Sequence, residues 1–392
     1  MPERLSLDEF ASLTDTPAEE IERYCAAGLL DPDGDALFED MDVFRLQLLE
    51  SIGPGFTVEQ LVEMVHASDD ARMLFGIEGP LETSQKVAQD LGLTVDQVRM
   101  LGTILGYDPS RGVGRQAKQM LETVGQMVAA GLTWDGIVEG ARVYADTLSR
   151  MAEMGIQMTH RYVCEPLEHQ GLDRREVALR FGQAGNIAGP SSRNLVMSMY
   201  DVYMSRALAR HARAHLDPRE EGAPPGSLRA TILFVDLALF SSLVDAHGDE
   251  EAMRVIDGFD QCVREYSLKH DGHLAKQIGD EYMLVFSDAG NAVMFAIELH
   301  ETMARIERFV ALRTGIHSGS VLYRIGDYFG HAVNIAARIA SMAMPNSILV
   351  TEPVAKAAAD KGIEVVELGV RSLRGMEEPV PLYRVSMDGK EE

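Results

Sequence analysis

The chain has 392 residues, 46% of them hydrophobic, and a formal net charge of −25 at pH 7. That length allows two or three domains with filled cores, while the charge excludes a broad nucleic-acid or anionic-membrane surface, since no segregated Lys/Arg run offsets it. Cys25, Cys164 and Cys262 are far apart and without CxxC spacing, so they read as reduced core thiols. No run reaches the roughly 18 apolar residues of a membrane span, which predicts a cytoplasmic protein with no membrane span.

The first elements are helical. Leu7-Asp8-Glu9-Phe10-Ala11-Ser12-Leu13 is followed by a turn and by a helix from Pro17, which suits a first helical turn with Thr16 or Asp15 as its cap. With Gly28-Leu29-Leu30 and the stretch from Met41 to Leu46, this segment resembles the helix-turn-helix start of MerR-type transcription regulators over some 60 residues. The helix that would enter DNA carries Glu19, Glu20 and Glu22 against Arg23, so phosphates would repel it. A helical packing module that binds no nucleic acid is the expectation. Gly55 to Glu63 returns as Gly131 to Glu139 at an offset of 76 residues, and Glu20-Ile21 is echoed by Gln97-Val98. Two MerR-like repeats, about 1–66 and 84–144, follow from that.

The helical pattern then continues, with an expected break from Gly182 to Pro190 and a connecting helix over 192–215. Its Met197, Met199, Tyr200, Tyr203, Met204 and Leu208 suit packing on a partner helix, or an adaptable pocket for an apolar ligand such as a lipid or fatty acid in this N-terminal domain. His211 and His215 stand at the junction, as a solvated helix end or as a pH-responsive pair titrating near the ordinary value of about 6.5. A Pro/Gly-rich linker, 216–228, closes the helical domain 1–215. The second domain, 229–387, alternates: strand 229–237, helix 249–269, strands 273–278 and 281–286, helix 289–308, strand 310–321. This β-α-β-β-α-β order is ferredoxin-like, and the fold class of the whole is α+β. A helix over 331–342, a strand at 347–351 and a last strand ending at Val385 complete the pattern.

Three clusters stand out in the second domain. Asp236 ends the apolar run Ile232-Leu233-Phe234-Val235, Asp280 sits in Lys276-Gln277-Ile278-Gly279-Asp280, and Asn334 and Arg338 are four apart on one helical face. Two carboxylates at adjacent strand ends offer hard oxygen ligands to Mg²⁺ or Mn²⁺, and a pair of such ions suits in-line attack at phosphorus.

The patterns Phe234-Val235-Asp236, Lys276-x-x-Gly279-Asp280 and Asp327-x-x-Gly330-x-x-x-Asn334-x-x-x-Arg338 resemble the class III nucleotidyl cyclase domain. The resemblance implies that Asp236 and Asp280 bind two metal ions per site and that Lys276 and Asp327 recognise adenine. It further implies that Asn334 and Arg338 hold the ribose and the transition-state charge, with Phe240, Ser241 and Arg374 at the phosphates. Adenine offers N1 as an acceptor and its 6-amino group as a donor, which Lys276 and Asp327 can meet, whereas guanine reverses both. ATP is therefore the expected substrate, and 3′,5′-cyclic AMP and pyrophosphate the expected products.

Leu239 stands where that family usually has Gly, Ser241 where it has Thr, and Arg374 where it has Lys. The family also implies a homodimer with two sites on a two-fold axis. The helical N-terminus is similar to that of soluble mycobacterial adenylyl cyclases, which implies autoinhibition relieved by acid pH or an apolar ligand. The alternatives are a weakly active, cyclase-like ATP-binding regulator, motivated by Leu239, and a helix-turn-helix transcription regulator.

Overall fold

A computed structural model of the chain describes residues 5–30, 57–66, 82–107, 112–172, 174–216, 227–238, 248–306, 311–374 and 378–387, with single positions such as Phe38, Leu46 and Phe240 between them. It divides into two compact units, Met1–Tyr200 and Asp201–Glu392.

The first unit opens with α1 (Leu7–Thr14), where Ser6 and Glu9 form a reciprocal capping box. Next come α2 (Ala18–Ala26), α3 (Val58–His66), α4 (Ser84–Leu91), α5 (Val95–Ile104), α6 (Arg115–Ala129) and α7 (Trp134–Thr159). A π-helical turn at His160–Cys164, α8 (Glu165–His169) and α9 (Arg174–Leu216) follow. Pro17 is itself the N-cap of α2 and makes no side-chain cap bond. The expected cap Asp15 instead ends α1 in the left-handed region at φ 55°.

Two small cores form. Phe10, Ile21, Leu29, Leu46 and Leu61 fill one, and Val87, Val98, Leu101 and Leu121 the other. An antiparallel bridge flanks a helix pair in each, Leu5 with Phe38 and Glu82 with Val113. The expected break at 182–190 is absent. α9 runs from Arg174 rather than from residue 192, through glycines that oppose a helix by about 1 kcal/mol each and through Pro190, which opposes it by about 3 kcal/mol. That helix carries the chain from one unit into the other.

The second unit holds β1 (Ser227–Leu237), α10 (Asp249–Lys269), β2 (His273–Ile278), β3 (Glu281–Phe286), α11 (Ala289–Met303) and β4 (Leu312–Arg324). After them come β5 (Asp327–Phe329), α12 (His331–Met342), β6 (Ser347–Thr351), α13 (Glu352–Asp360), β7 (Val365–Arg371) and β8 (Val380–Val385). The sheet order is β2-β3-β1-β4-β6-β8-β7, with β5 paired to β4. The ferredoxin-like core is present as expected, and the class is α+β. α11 ends at Met303 rather than 308, and β4 extends past 321 to Arg324. β5, α13 and β7 were not anticipated.

Strand alternation gives the sheet two faces. Leu233, Val235, Tyr282, Phe295 and Leu299 belong to the larger core, with α10, α11 and α13. Ile232, Phe234, Met283 and Val321 lie under Ala332, Ala336 and Ala340 of α12. The helix can approach because β4 carries Gly315, where a Cβ would lie 2.2 Å from the Ala340 backbone nitrogen. Among the described residues no helix is long and apolar enough to cross a membrane.

Candidate active site

Asp236 extends from β1 on the same face as Ile232 and Phe234, directly opposite Arg313 of β4. The guanidinium donates to both carboxylate oxygens, Nε to Oδ1 at 2.9 Å and Nη2 to Oδ2 at 2.8 Å. Such a fork fixes the orientation of the carboxylate. Burial nevertheless pushes the Asp236 carboxyl above its ordinary range, the Arg313 fork opposes this, and the charge of Asp280 adds to the rise.

Asp280 occupies the two-residue turn between β2 and β3. Gly279 takes φ 64° there, which a short hairpin demands and glycine adopts without strain. Glu281 follows immediately, and its carboxyl is pushed up by burial and then by Asp236 and Asp280. Burial and a neighbouring carboxylate thus both disfavour the charged forms of Asp236 and Glu281, a situation that a divalent cation relieves and hard oxygen donors suit. Among the described residues no group of three or more His, Cys, Asp or Glu side chains is placed to hold a metal ion. Asp236 and Asp280 offer two carboxylates of the hard-oxygen kind that such an ion takes.

Lys276 of β2 and Asp327 of β5, 51 residues apart in sequence, meet at 2.5 Å between Nζ and Oδ2. The other oxygen of Asp327 accepts the Tyr328 backbone N–H at 2.8 Å. β5 is brought back onto β4 by Ile325 and Gly326, both at positive φ, and Tyr328 packs edge-on against Tyr323 and His273. Burial holds His273 down to about 4, so it is neutral beside the pair near pH 7.

Asn334 and Arg338 lie one turn apart on α12, Asn334 exposed and Arg338 half-buried. Arg338 forms no ion pair among the described residues. Phe240 packs its ring against the larger core, which leaves its backbone rather than its side chain for a ligand. Arg374 is exposed in the segment after β7. Leu239 and Ser241 lie outside the described residues.

The sequence reading missed Arg313 and Glu281. Arg313 was visible as a charge at the start of an apolar strand, but its partner was not, because register is set by strand pairing rather than by spacing. Glu281 was visible beside Asp280 and could have been weighed as a third carboxylate.

Comparison with known proteins gives the family of the chain. The family described as the adenylate and guanylate cyclase catalytic domain matches residues 226–386. An adenylate cyclase of Streptomyces coelicolor is 30% identical over 276 residues, 68% of this chain and 69% of that protein. A pH-sensitive adenylate cyclase of Mycobacterium tuberculosis is 27% identical over 329 residues, 80% of each chain. The crystal structure of the adenylyl cyclase CyaB from P. aeruginosa is 23% identical, with a TM-score of 0.38, over 42% of this chain and 96% of that one.

Proposed function

We propose a mechanism on the premise that the chain belongs to the class III adenylate cyclases: it converts ATP to 3′,5′-cyclic AMP and pyrophosphate. The observation that carries this is the placement of Asp236, Asp280, Lys276, Asp327 and Arg338 by one sheet and one helix. Asp236 and Asp280 would hold two Mg²⁺ or Mn²⁺ ions, which when bound would supply Lewis acidity toward the ribose 3′-hydroxyl and offset the triphosphate charge.

Arg313 keeps Asp236 in one orientation. Lys276 donates to adenine N1 and Asp327 accepts from the 6-amino group, each exchanging part of their mutual contact for the base. Asn334 orients the ribose so that O3′ faces the α-phosphorus. The new bond forms there as the O3′–H bond and the bond to the bridging oxygen break, the proton passing to solvent and the bridging oxygen leaving with pyrophosphate, and Arg338 meets the charge spreading over the equatorial oxygens. The backbone at Phe240 and Ser241, with Arg374, holds the phosphate tail.

We place the site between two copies of the chain. Ile278, Tyr323, Ile325 and Phe329 flank the Lys276–Asp327 pair and are 47–61% exposed, an apolar surround that suits a second copy. The reaction is assigned to the cytoplasm, where ATP is available, and ATP rather than nucleic acid is the ligand proposed for this acidic chain. The helical unit restrains catalysis through α9, in response to pH or to an apolar ligand such as a fatty acid at its methionines.

The test is cyclic AMP formation from ATP, with GTP as control, in Mn²⁺ or Mg²⁺. Wild type should form cyclic AMP and Asp280→Ala should lose at least 100-fold, on the order of one catalytic metal contact. Unchanged turnover in Asp280→Ala would remove the metal assignment. Residues 217–392 alone should outpace the full chain if the helical unit is inhibitory.

A further inference from the structure

The turn that carries Asp280 projects past the last rung of the ladder between β1 and β3. Those strands pair from Thr231 with Phe286 to Val235 with Tyr282, so Tyr282 is the last residue of β3 held by β1. Asp280 and Glu281 lie beyond that rung, and β2, the other arm of the hairpin, ends the sheet order. A carboxylate at such a tip needs another support to keep one position.

Side chains on the α10 face of the sheet supply that support. Tyr282 is fully buried, its ring edge-on to Phe259 of α10 at 5.0 Å between centroids. A buried hydroxyl needs a partner, and this one donates to Asp260 Oδ1 of the same helix at 3.2 Å. Asp260 is in turn fixed by Arg264, one helical turn on, whose Nε donates to Oδ2 at 2.6 Å. Across the hairpin, Gln277 is the register partner of Tyr282 and lies beside its hydroxyl. The Gln277 amide nitrogen donates to the Gly279 carbonyl at 3.0 Å. A polar chain therefore runs from α10 to the backbone oxygen just before Asp280.

Packing alone does not require this arrangement. A phenylalanine at position 282 would fill the same space without bringing a polar group into the core. Asp260 keeps 28% of its side chain exposed and Gln277 is exposed on its strand, so water could serve both. What the hydroxyl and the amide add is direction. One ties the hairpin to a helix and the other ties β2 to the turn, and the two anchors stand on either side of Gly279 and Asp280.

We propose that Tyr282, Asp260 and Gln277 are positioning residues that brace the Gly279–Asp280 turn and so hold the Asp280 carboxylate in one place. All three act through Asp280 rather than on the substrate. The consequence for turnover rests on the metal role given to Asp280 above; the bracing of the turn does not.

Hydrogen exchange of the metal-free full chain, followed by mass spectrometry, tests the brace. In Tyr282→Phe and in Gln277→Leu the peptide covering 277–282 should exchange at least tenfold faster than in wild type, with 229–234 of β1 unchanged. Val354→Ala, which opens a cavity on α13 in the same core, is the control and should lower the melting temperature without speeding exchange in the turn. The Mn²⁺ concentration for half-maximal cyclic AMP formation should rise at least fivefold in both turn variants, with KM for ATP at saturating Mn²⁺ within twofold of wild type. Should Tyr282→Phe fail to fold, Gln277→Leu decides alone, because that side chain is exposed. Unchanged exchange in the folded variants, or equal acceleration in Val354→Ala, would overturn the brace. Faster exchange with an unchanged Mn²⁺ requirement, in an enzyme that Asp280→Ala inactivates, would overturn its part in catalysis. An Asp280→Ala variant that stays active would instead remove the metal reading, and the brace would stand on the exchange result.

Discussion

Asp236 is held by two effects that oppose each other, burial disfavouring its charge and the Arg313 fork favouring it, and burial prevails. An acid whose folded value is raised keeps its full contribution while neutral at low pH and gives it up as pH rises through that value. Asp236→Asn should therefore melt at the same or a higher temperature than wild type in chelator, while losing both cyclic AMP formation and the stabilisation that Mn²⁺ gives wild type. A fall of several degrees would show that the Arg313 fork outweighs burial. Ile325 presents a different strain, a β-branched residue at φ 54° and 53% exposed. The left-handed region costs such a residue about 1–2 kcal/mol, and Asn-Gly is the favoured pair in hairpins of this kind. Ile325→Asn should raise unfolding free energy by about 1 kcal/mol in a denaturant titration. An unchanged midpoint would mean the turn is not strained.

α12 reaches the sheet because glycine lies under it. A methyl group at Gly315 would meet Ala340 N at 2.2 Å and Ala336 O at 2.6 Å, both backbone atoms that cannot swing aside. Gly315→Ala should lift the helix that carries Asn334 and Arg338 and lower kcat at least tenfold, with a smaller change in KM. Retained kcat would show that the helix position is not limiting. The neighbouring strand residue Thr314 bonds His300 at 2.8 Å, and burial holds His300 to about 4; His317, bonded to Thr351, is likewise held to about 4. The folded state binds fewer protons than the unfolded one, so this stability is complete above pH 6.5 and is lost as pH falls from there toward 4. Each histidine can account for up to about 3 kcal/mol over that window. Melting temperature should drop between pH 6.5 and 4, and His300→Gln should flatten the slope. At this scale much was legible: 249–269, 273–278, 281–286, 331–342 and 347–351 have the same ends in sequence and structure, because glycines and polar turns bound them. β5 was hidden by its three residues, too few for any period. α13 carried a signal that was overlooked, a proline in its first turn and four alanines. The Lys276–Asp327 contact was legible as chemistry through family resemblance, whereas the Asp236–Arg313 fork depends on which strands are neighbours.

The class III reading makes its strongest demand on the whole molecule, because it assigns the metal carboxylates and the base-reading pair of one site to different copies of the chain. The exposed apolar side chains around Lys276 and Asp327 suit a dimer, whether its sites are shared between copies or each complete within one chain. Complementation separates the two. On the proposed roles Asp236→Ala would remove a metal ligand and Lys276→Ala a base contact, so each homodimer should be inactive or nearly so. Co-expressed with two different tags and purified through both, the variants give a heterodimer. With shared sites, one of its two sites combines both lesions and the other combines the intact Asp236 of one copy with the intact Lys276 of its partner. Two-fold symmetry then predicts about half of wild-type activity per dimer. With self-contained sites, each copy keeps its own lesion and the heterodimer is as inactive as its parents. Reduced ATP-over-GTP discrimination in Asp327→Ala, by tenfold or more, should appear in the same assay if the pair reads the base, since a mismatched purine then leaves fewer buried groups unpaired. A heterodimer without activity, prepared alongside an active wild type carrying both tags, would confine the site to a single chain and remove the interface from the mechanism.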